Sequence, residues 1–159
     1  MTSPKKKVLI TGASGTITRK GLPHKYDFSG LNRSPVEGIP NLQASIANFE
    51  AIMPAFEGID TVLHLSAENR NVHSWEGNLE INIKGCRNVF EAARINGVKR
   101  VIYASSGAVT LGPQYHESPY VEMVAGEFDK VPAKWDMLDE NSRYWPYDLS
   151  GVTKAFGEI

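Results

Sequence analysis

The chain has 159 residues, 42% apolar and 22% charged, with a formal net charge of −1. These values suit one globular domain with a real core and argue against nucleic acid or an anionic membrane surface as the main partner. No apolar run approaches the ~18 residues of a membrane span. No signal-peptide pattern precedes Val8, so a cytoplasmic protein is expected.

Lys5-Lys6-Lys7 reads as a solvated tail ahead of the first strand. Val8-Leu9-Ile10-Thr11 then runs straight into Gly12-Ala13-Ser14-Gly15, the pattern of a buried parallel strand turning into a helix. Such a turn lies at the carboxyl edge of an α/β sheet, where backbone N–H groups and a helix N-terminus can hold a diphosphate. Gly12 permits the tight turn, Gly15 lets backbone come close to the ligand, and Ser14 and Thr16 can add hydroxyl donors. Thr16 to Leu22 can form a short helix, closed by Gly21 and Pro23. A second strand, Tyr26 to Leu31, ends at Asn32-Arg33-Ser34-Pro35. Asn32 stands twenty positions beyond Gly12, where an acidic residue bonding the adenosine ribose is expected. Asparagine does not repel a 2′-phosphate and Arg33 could attract one, so NAD and NADP both stay open.

Asn41 to Ala44 reads as a third strand. Asn48 can cap a helix with Glu50 in its first turn and Gly58 at its end, and Pro54 predicts a kink or a late start. Thr61 to Leu65 is a nearly all-apolar fourth strand. After a polar loop, Asn78 to Asn96 forms the best helix, with Leu79, Ile83, Cys86, Phe90 and Ala93 predicted on one buried face. Cys86, the single cysteine, belongs to that stripe and cannot form an intramolecular disulfide. Gly97 stops the helix, and Arg100 to Ala104 is a fifth strand leading into Ser105-Ser106-Gly107. From Gly112 to Arg143 no period runs, which predicts a long loop that carries function or is mobile. A last helix begins near Pro146. His24, His64, His73 and His116 lack zinc-type spacing, so no metal site is expected. The alternation of strands and helices predicts an α/β doubly wound parallel sheet in the order 3-2-1-4-5.

Several stretches together resemble the extended short-chain dehydrogenase/reductases, or NAD-dependent epimerase/dehydratases. They are Thr11-Gly12-Ala13-Ser14-Gly15-Thr16-Ile17, His64-Leu65-Ser66-Ala67, Asn82 to Ala93, Tyr103-Ala104-Ser105-Ser106, and Pro146 to Glu158. Within that family Ser105-Ser106-Gly107-Ala108 and Lys154-Ala155-Phe156-Gly157-Glu158 look closest to sugar or uronate dehydrogenases. The resemblance implies a Rossmann-type NAD(P)-binding domain spanning residues 1–159. Its cofactor contacts would come from Gly12, Ser14, Gly15, Thr16 and Ile17, then Asn32 and Arg33, Ser45 and Ile46, Leu65, Ser66 and Ala67, and Lys154. It also implies a small-molecule substrate and a homodimer built from the long helix and the last one.

Such enzymes pair a serine after strand five with a Tyr-x-x-x-Lys on the next helix. Ser106, or else Ser105, fits the serine, and Lys154 the lysine that lowers the tyrosine pKa and bonds the nicotinamide ribose. The tyrosine position is Ser150, whose hydroxyl ionises far less readily than a phenol and is too short to reach the same atom. Tyr147 is the conceivable substitute, one turn earlier. Other departures are Thr18 at the third glycine position, a shortened first helix, and Ser45 and Asn48 where aspartates often stand. The chain also ends just after Lys154, so a truncated relative or an incomplete sequence is expected. The resulting expectation is an NAD(P)-binding protein with an ancestral oxidoreductase activity that is weak or lost. The alternative is a non-catalytic sensor or scaffold that binds NAD(P).

Overall fold

The computed structural model describes residues 4–15, 25–68 and 71–159. The predicted short helix at Thr16–Leu22, the crowding expected at Thr18, and His24 fall outside them. The chain divides into two compact units, Met1–Ala104 and Ser105–Ile159.

The first unit is a parallel sheet of β1 (Lys7–Thr11), β2 (Asp27–Asn32), β3 (Asn41–Gln43), β4 (Thr61–His64) and β5 (Arg100–Tyr103). Its order is β3-β2-β1-β4-β5, as the crossover rule predicts. β1 is central, with Val8 opposite Phe28 on one side and Thr61 on the other. Strand limits move by one residue at several ends: β2 runs on to Asn32, while β4 and β5 stop at His64 and Tyr103. Because every strand is parallel, Thr11, Asn32, Gln43, His64 and Tyr103 all end on one edge.

Alternation along β1 supplies both faces of the sheet. Leu9 packs with Leu31 and Val62 against Ile52, Phe56, Val89 and Ala92, whereas Val8, Ile10 and Ala13 form a second cluster with Phe28 and Leu63. Phe56 is fully buried, a burial that contributes about 1.5–3 kcal/mol. The helix before it is short: where Pro54 predicts a kink or a late start, it starts on time and ends early. α1 (Phe49–Ile52) starts on Asn48, whose side chain accepts from the Ala51 N–H at 3.2 Å. A 3₁₀ turn then carries Pro54 over Met53–Phe56, and Gly58 leaves it at φ +66°.

The long helical segment departs from its predicted face. It opens as α2 (Trp75–Gly77), widens into a π-helical stretch over Asn78–Gly85, and continues as α3 (Cys86–Ile95). A π stretch shifts the phase of everything before it relative to the helix after it. Cys86 and Ala93 are buried as expected, but Ile83 and Phe90 are half-buried and Leu79 is exposed. Asn78 and Asn82 take the inward positions instead.

The second unit is less regular, yet the span predicted as a long loop without a period contains short helices. These are 3₁₀ turns at Gly112–Tyr115 and Phe128–Lys130, and α4 (Tyr120–Ala125) between them. The last helix, α5 (Leu149–Phe156), starts later than Pro146. Tyr147 is held outside it by donating its N–H to the Ala108 carbonyl at 2.8 Å, and Asp148 caps it by accepting from the Gly151 N–H at 2.7 Å. Among the described residues no helix is long and apolar enough to cross a membrane.

Candidate functional site

The turn after β1 is built around one glycine. Gly12 sits at φ +72°, and a Cβ there would stand 2.9 Å from the Ser66 nitrogen. An L side chain is disfavoured on both counts. Gly12 donates to the Leu31 carbonyl and accepts from the Gly15 N–H, each at 3.0 Å, which closes the turn. The wall beside it is fixed by Thr11, whose hydroxyl lies 2.6 Å from His64 Nδ1 and accepts from the Ser66 N–H at 3.2 Å. The rings of Phe90 and Tyr103 flank this buried imidazole.

Around the turn lies a cavity of about 360 Å³. Ten of the residues predicted as cofactor contacts line it: Gly12, Ser14, Gly15, Asn32, Arg33, Ser45, Ile46, Leu65, Ser66 and Ala67. Thr16 and Ile17 fall outside the described residues. Leu31, Ala44 and Ile81 also line it and were not foreseen. Leu31 and Ala44 follow from their places at strand ends, but Ile81 belongs to the π-helical stretch, which has no simple sequence signal.

Buried asparagines hold the rim of this cavity. Asn82 accepts from the Glu68 N–H and donates to Asn78 Oδ1, both at 2.8 Å. Asn78 in turn donates to the Val72 and Ser74 carbonyls, so the loop after β4 is tied to the helix. Asn88 donates to the Ile46 carbonyl at 3.0 Å. Gly85 makes room for that loop, since a Cβ there would meet Ile46 at 2.6 Å. The available signal was three asparagines within one helix, a poor choice unless their amides bond elsewhere. Ser45 shapes its own turn, accepting from the Ala47 N–H with its hydroxyl and from the Asn48 N–H with its carbonyl.

In the second unit, the serines after β5 and the end of α5 come together. Ser106 caps the 3₁₀ turn Gly107–Val109, its hydroxyl accepting from the Ala108 N–H at 3.2 Å. Ser105 donates to one oxygen of Glu158, and Tyr144 donates to the other at 3.2 Å. That carboxylate raises the Tyr144 pKa above the usual phenol value, because ionising the phenol would remove the hydrogen bond and set two anions side by side. Ser105, Ser106, Tyr144 and Glu158 line a cavity of about 600 Å³ with Asp139 and Arg143. Lys154 and Ser150 are not among its lining residues. Both lie on α5, four apart and hence on one face, and Lys154 is buried. Gly151 lets α5 touch the 3₁₀ turn, since a Cβ there would stand 2.5 Å from the Ala108 oxygen. The Tyr147 ring stacks on Tyr115 at 5.0 Å. A hydrogen bond with Tyr147 is the largest cause of a raised Tyr115 pKa, followed by desolvation. Among the described residues no group of three or more His, Cys, Asp or Glu could hold a metal ion.

A parallel sheet in this order, with a glycine turn open at its carboxyl edge, defines a Rossmann-type protein. The chain belongs to the NAD dependent epimerase/dehydratase family, which it matches over residues 8–131. It is similar to an L-arabinose 1-dehydrogenase (NAD(P)(+)) from Haloferax volcanii, with 29% identity over 96% of this chain and 58% of that protein. It is also similar to an NAD-dependent glucose-6-phosphate dehydrogenase from the same organism, with 32% identity over 95% of this chain and 60% of that protein. Among solved structures, a mutant uronate dehydrogenase from Agrobacterium tumefaciens complexed with NAD superposes with a TM-score of 0.72. It is 28% identical, over 98% of this chain and 54% of that one. The chain thus spans little more than half the length of these relatives.

Proposed function

We propose that this chain binds NAD(P) in the cavity after β1 and forms the dinucleotide-binding part of a sugar or uronate oxidoreductase with little or no turnover of its own. The observation that carries the binding reading is the close approach of Gly12 to Ser66, which leaves backbone rather than side chain facing the cavity. Backbone N–H groups and the Ser66 hydroxyl suit a diphosphate, and Asn32 with Arg33 suits the adenosine ribose. When bound, the nicotinamide supplies the acceptance and return of hydride. Ser106 orients the substrate oxygen, and Lys154 supplies the positive charge that favours an ionised hydroxyl.

The relatives named above act on an arabinose, a glucose phosphate and a uronate, which supports a sugar-like substrate class. What argues against turnover is Ser150. Tyr147 is poorly suited to replace the missing phenol, since its ring is stacked on Tyr115 and it stands ahead of α5 rather than on it. Ser150 equally favours a second reading, a non-catalytic NAD(P) sensor or scaffold. The same reading includes a cytoplasmic location and a homodimer that covers exposed apolar residues such as Leu79 and Ile95, testable by sedimentation.

Calorimetric titration with NAD and NADP tests the binding claim, and absence of heat with both rejects it. Turnover assays on uronates and aldoses separate the two readings. Activity gained by Ser150→Tyr favours a disabled enzyme, and continued silence favours the sensor. Brisk turnover by the unchanged chain contradicts both.

A further inference from the structure

We infer that the cavity after β1 selects the phosphorylated dinucleotide, NADP(H), over NAD(H), and that Arg33 on a pinned loop makes the selection. The inference rests on the dinucleotide reading above. A carboxylate at the end of β2 accepts from both ribose hydroxyls and repels a 2′-phosphate; here that position is Asn32, which carries no charge. Arg33 is the one charged side chain among the described lining residues, and none of them is acidic. Among the described lining residues the charge at the ribose end is therefore positive and unopposed.

The loop that presents Arg33 is held from three directions. Asn32 accepts from the Ser14 hydroxyl at 3.2 Å and donates to the Ser34 carbonyl at 2.8 Å. Asn41 on β3 donates to the same Ser34 carbonyl at 3.3 Å. Gly30 on β2 makes this possible, because a Cβ there would stand 2.7 Å from Asn41 Oδ1. The backbone on either side of Arg33 is thus fixed, while the Arg33 side chain is exposed at the rim. A guanidinium on a fixed backbone can meet a phosphomonoester with paired N–H donors, and the ordering cost falls on its own side chain rather than on the loop. The bonds of Asn32 use one of its two N–H groups and leave the other for a ribose oxygen.

Isothermal titration of the whole chain with NADP, NAD, adenosine 2′,5′-bisphosphate and AMP tests the inference. NADP is expected to bind about tenfold or more tightly than NAD, with the same ranking for the bisphosphate over AMP. Raising the ionic strength should shrink the difference. Arg33→Ala should remove most of it by weakening NADP far more than NAD, Arg33→Lys should retain part, and Asn32→Asp should reverse the ranking. NAD binding as tightly as NADP overturns the inference and leaves the dinucleotide reading standing, as does an Arg33→Ala variant that weakens both ligands equally. Failure of both dinucleotides to bind overturns the two together.

Discussion

The two units use apolar residues in opposite ways. Among the described residues, fourteen of the sixteen buried core side chains lie in Met1–Ala104, and Ser105–Ile159 contributes Val109 and Ala155. Large exposed hydrophobics run the other way: four in the first unit against eleven in the second, including Phe128, Met137 and Ile159. The first unit is therefore fixed by burial and strand pairing. The second is fixed by individual polar bonds and ring contacts: Trp145 and Tyr147 donating N–H groups to the Val109 and Ala108 carbonyls, His116 and Arg143 stacked on Trp145, and Glu158 taking two hydroxyls. The segment that carries Ser106, Ser150 and Lys154 thus holds few of the described buried core side chains.

The largest test of this contrast is Gly12→Val. The left-handed backbone and the contact with Ser66 predict a cost of about 3 kcal/mol and loss of dinucleotide binding, read by denaturant melts and calorimetry. Gly151→Ala should cost about 2 kcal/mol by forcing α5 from the Ala108 carbonyl, with hydrogen exchange rising in the second unit. Equal exchange throughout the chain would erase the distinction between the units. Asn82→Ala should cost about 1–2 kcal/mol, leaving the Glu68 N–H and Asn78 short of a partner and weakening dinucleotide affinity through a looser rim. The smallest effect concerns pH. Because the Tyr144 pKa is raised, its bond to Glu158 is fully present below the ordinary phenol range near 10 and is lost as pH rises through the folded value. Tyr144→Phe should delete one component that titrates above the ordinary phenol range in a spectrophotometric tyrosine titration, leaving that of Tyr115 in place.

The first unit was largely legible because its determinants are local. Apolar runs ending in glycine or asparagine mark strand ends, and parallel topology then gathers those ends on one edge. This is why ten predicted contacts share one cavity. The Asn48 cap and the Pro54 turn were equally local. What escaped were features set by tertiary bonding: the π-helical stretch that exposes Leu79, the asparagines that pin two loops, and the late start of α5. Glu158 was likewise unforeseen as the acceptor for Ser105, fifty-three residues away, since no period connects the two. The expectations for Ser106 and Lys154 came from family resemblance, which also made the absence of tyrosine at Ser150 visible.

The central claim is that the turn after β1 holds a dinucleotide, and amide chemical-shift mapping during titration with NADP tests it most directly. The account predicts saturable shifts at Gly12, Gly15, Asn32, Ser45 and Ser66, abolished by Gly12→Val. Amides at these positions that stay fixed through the titration would contradict it.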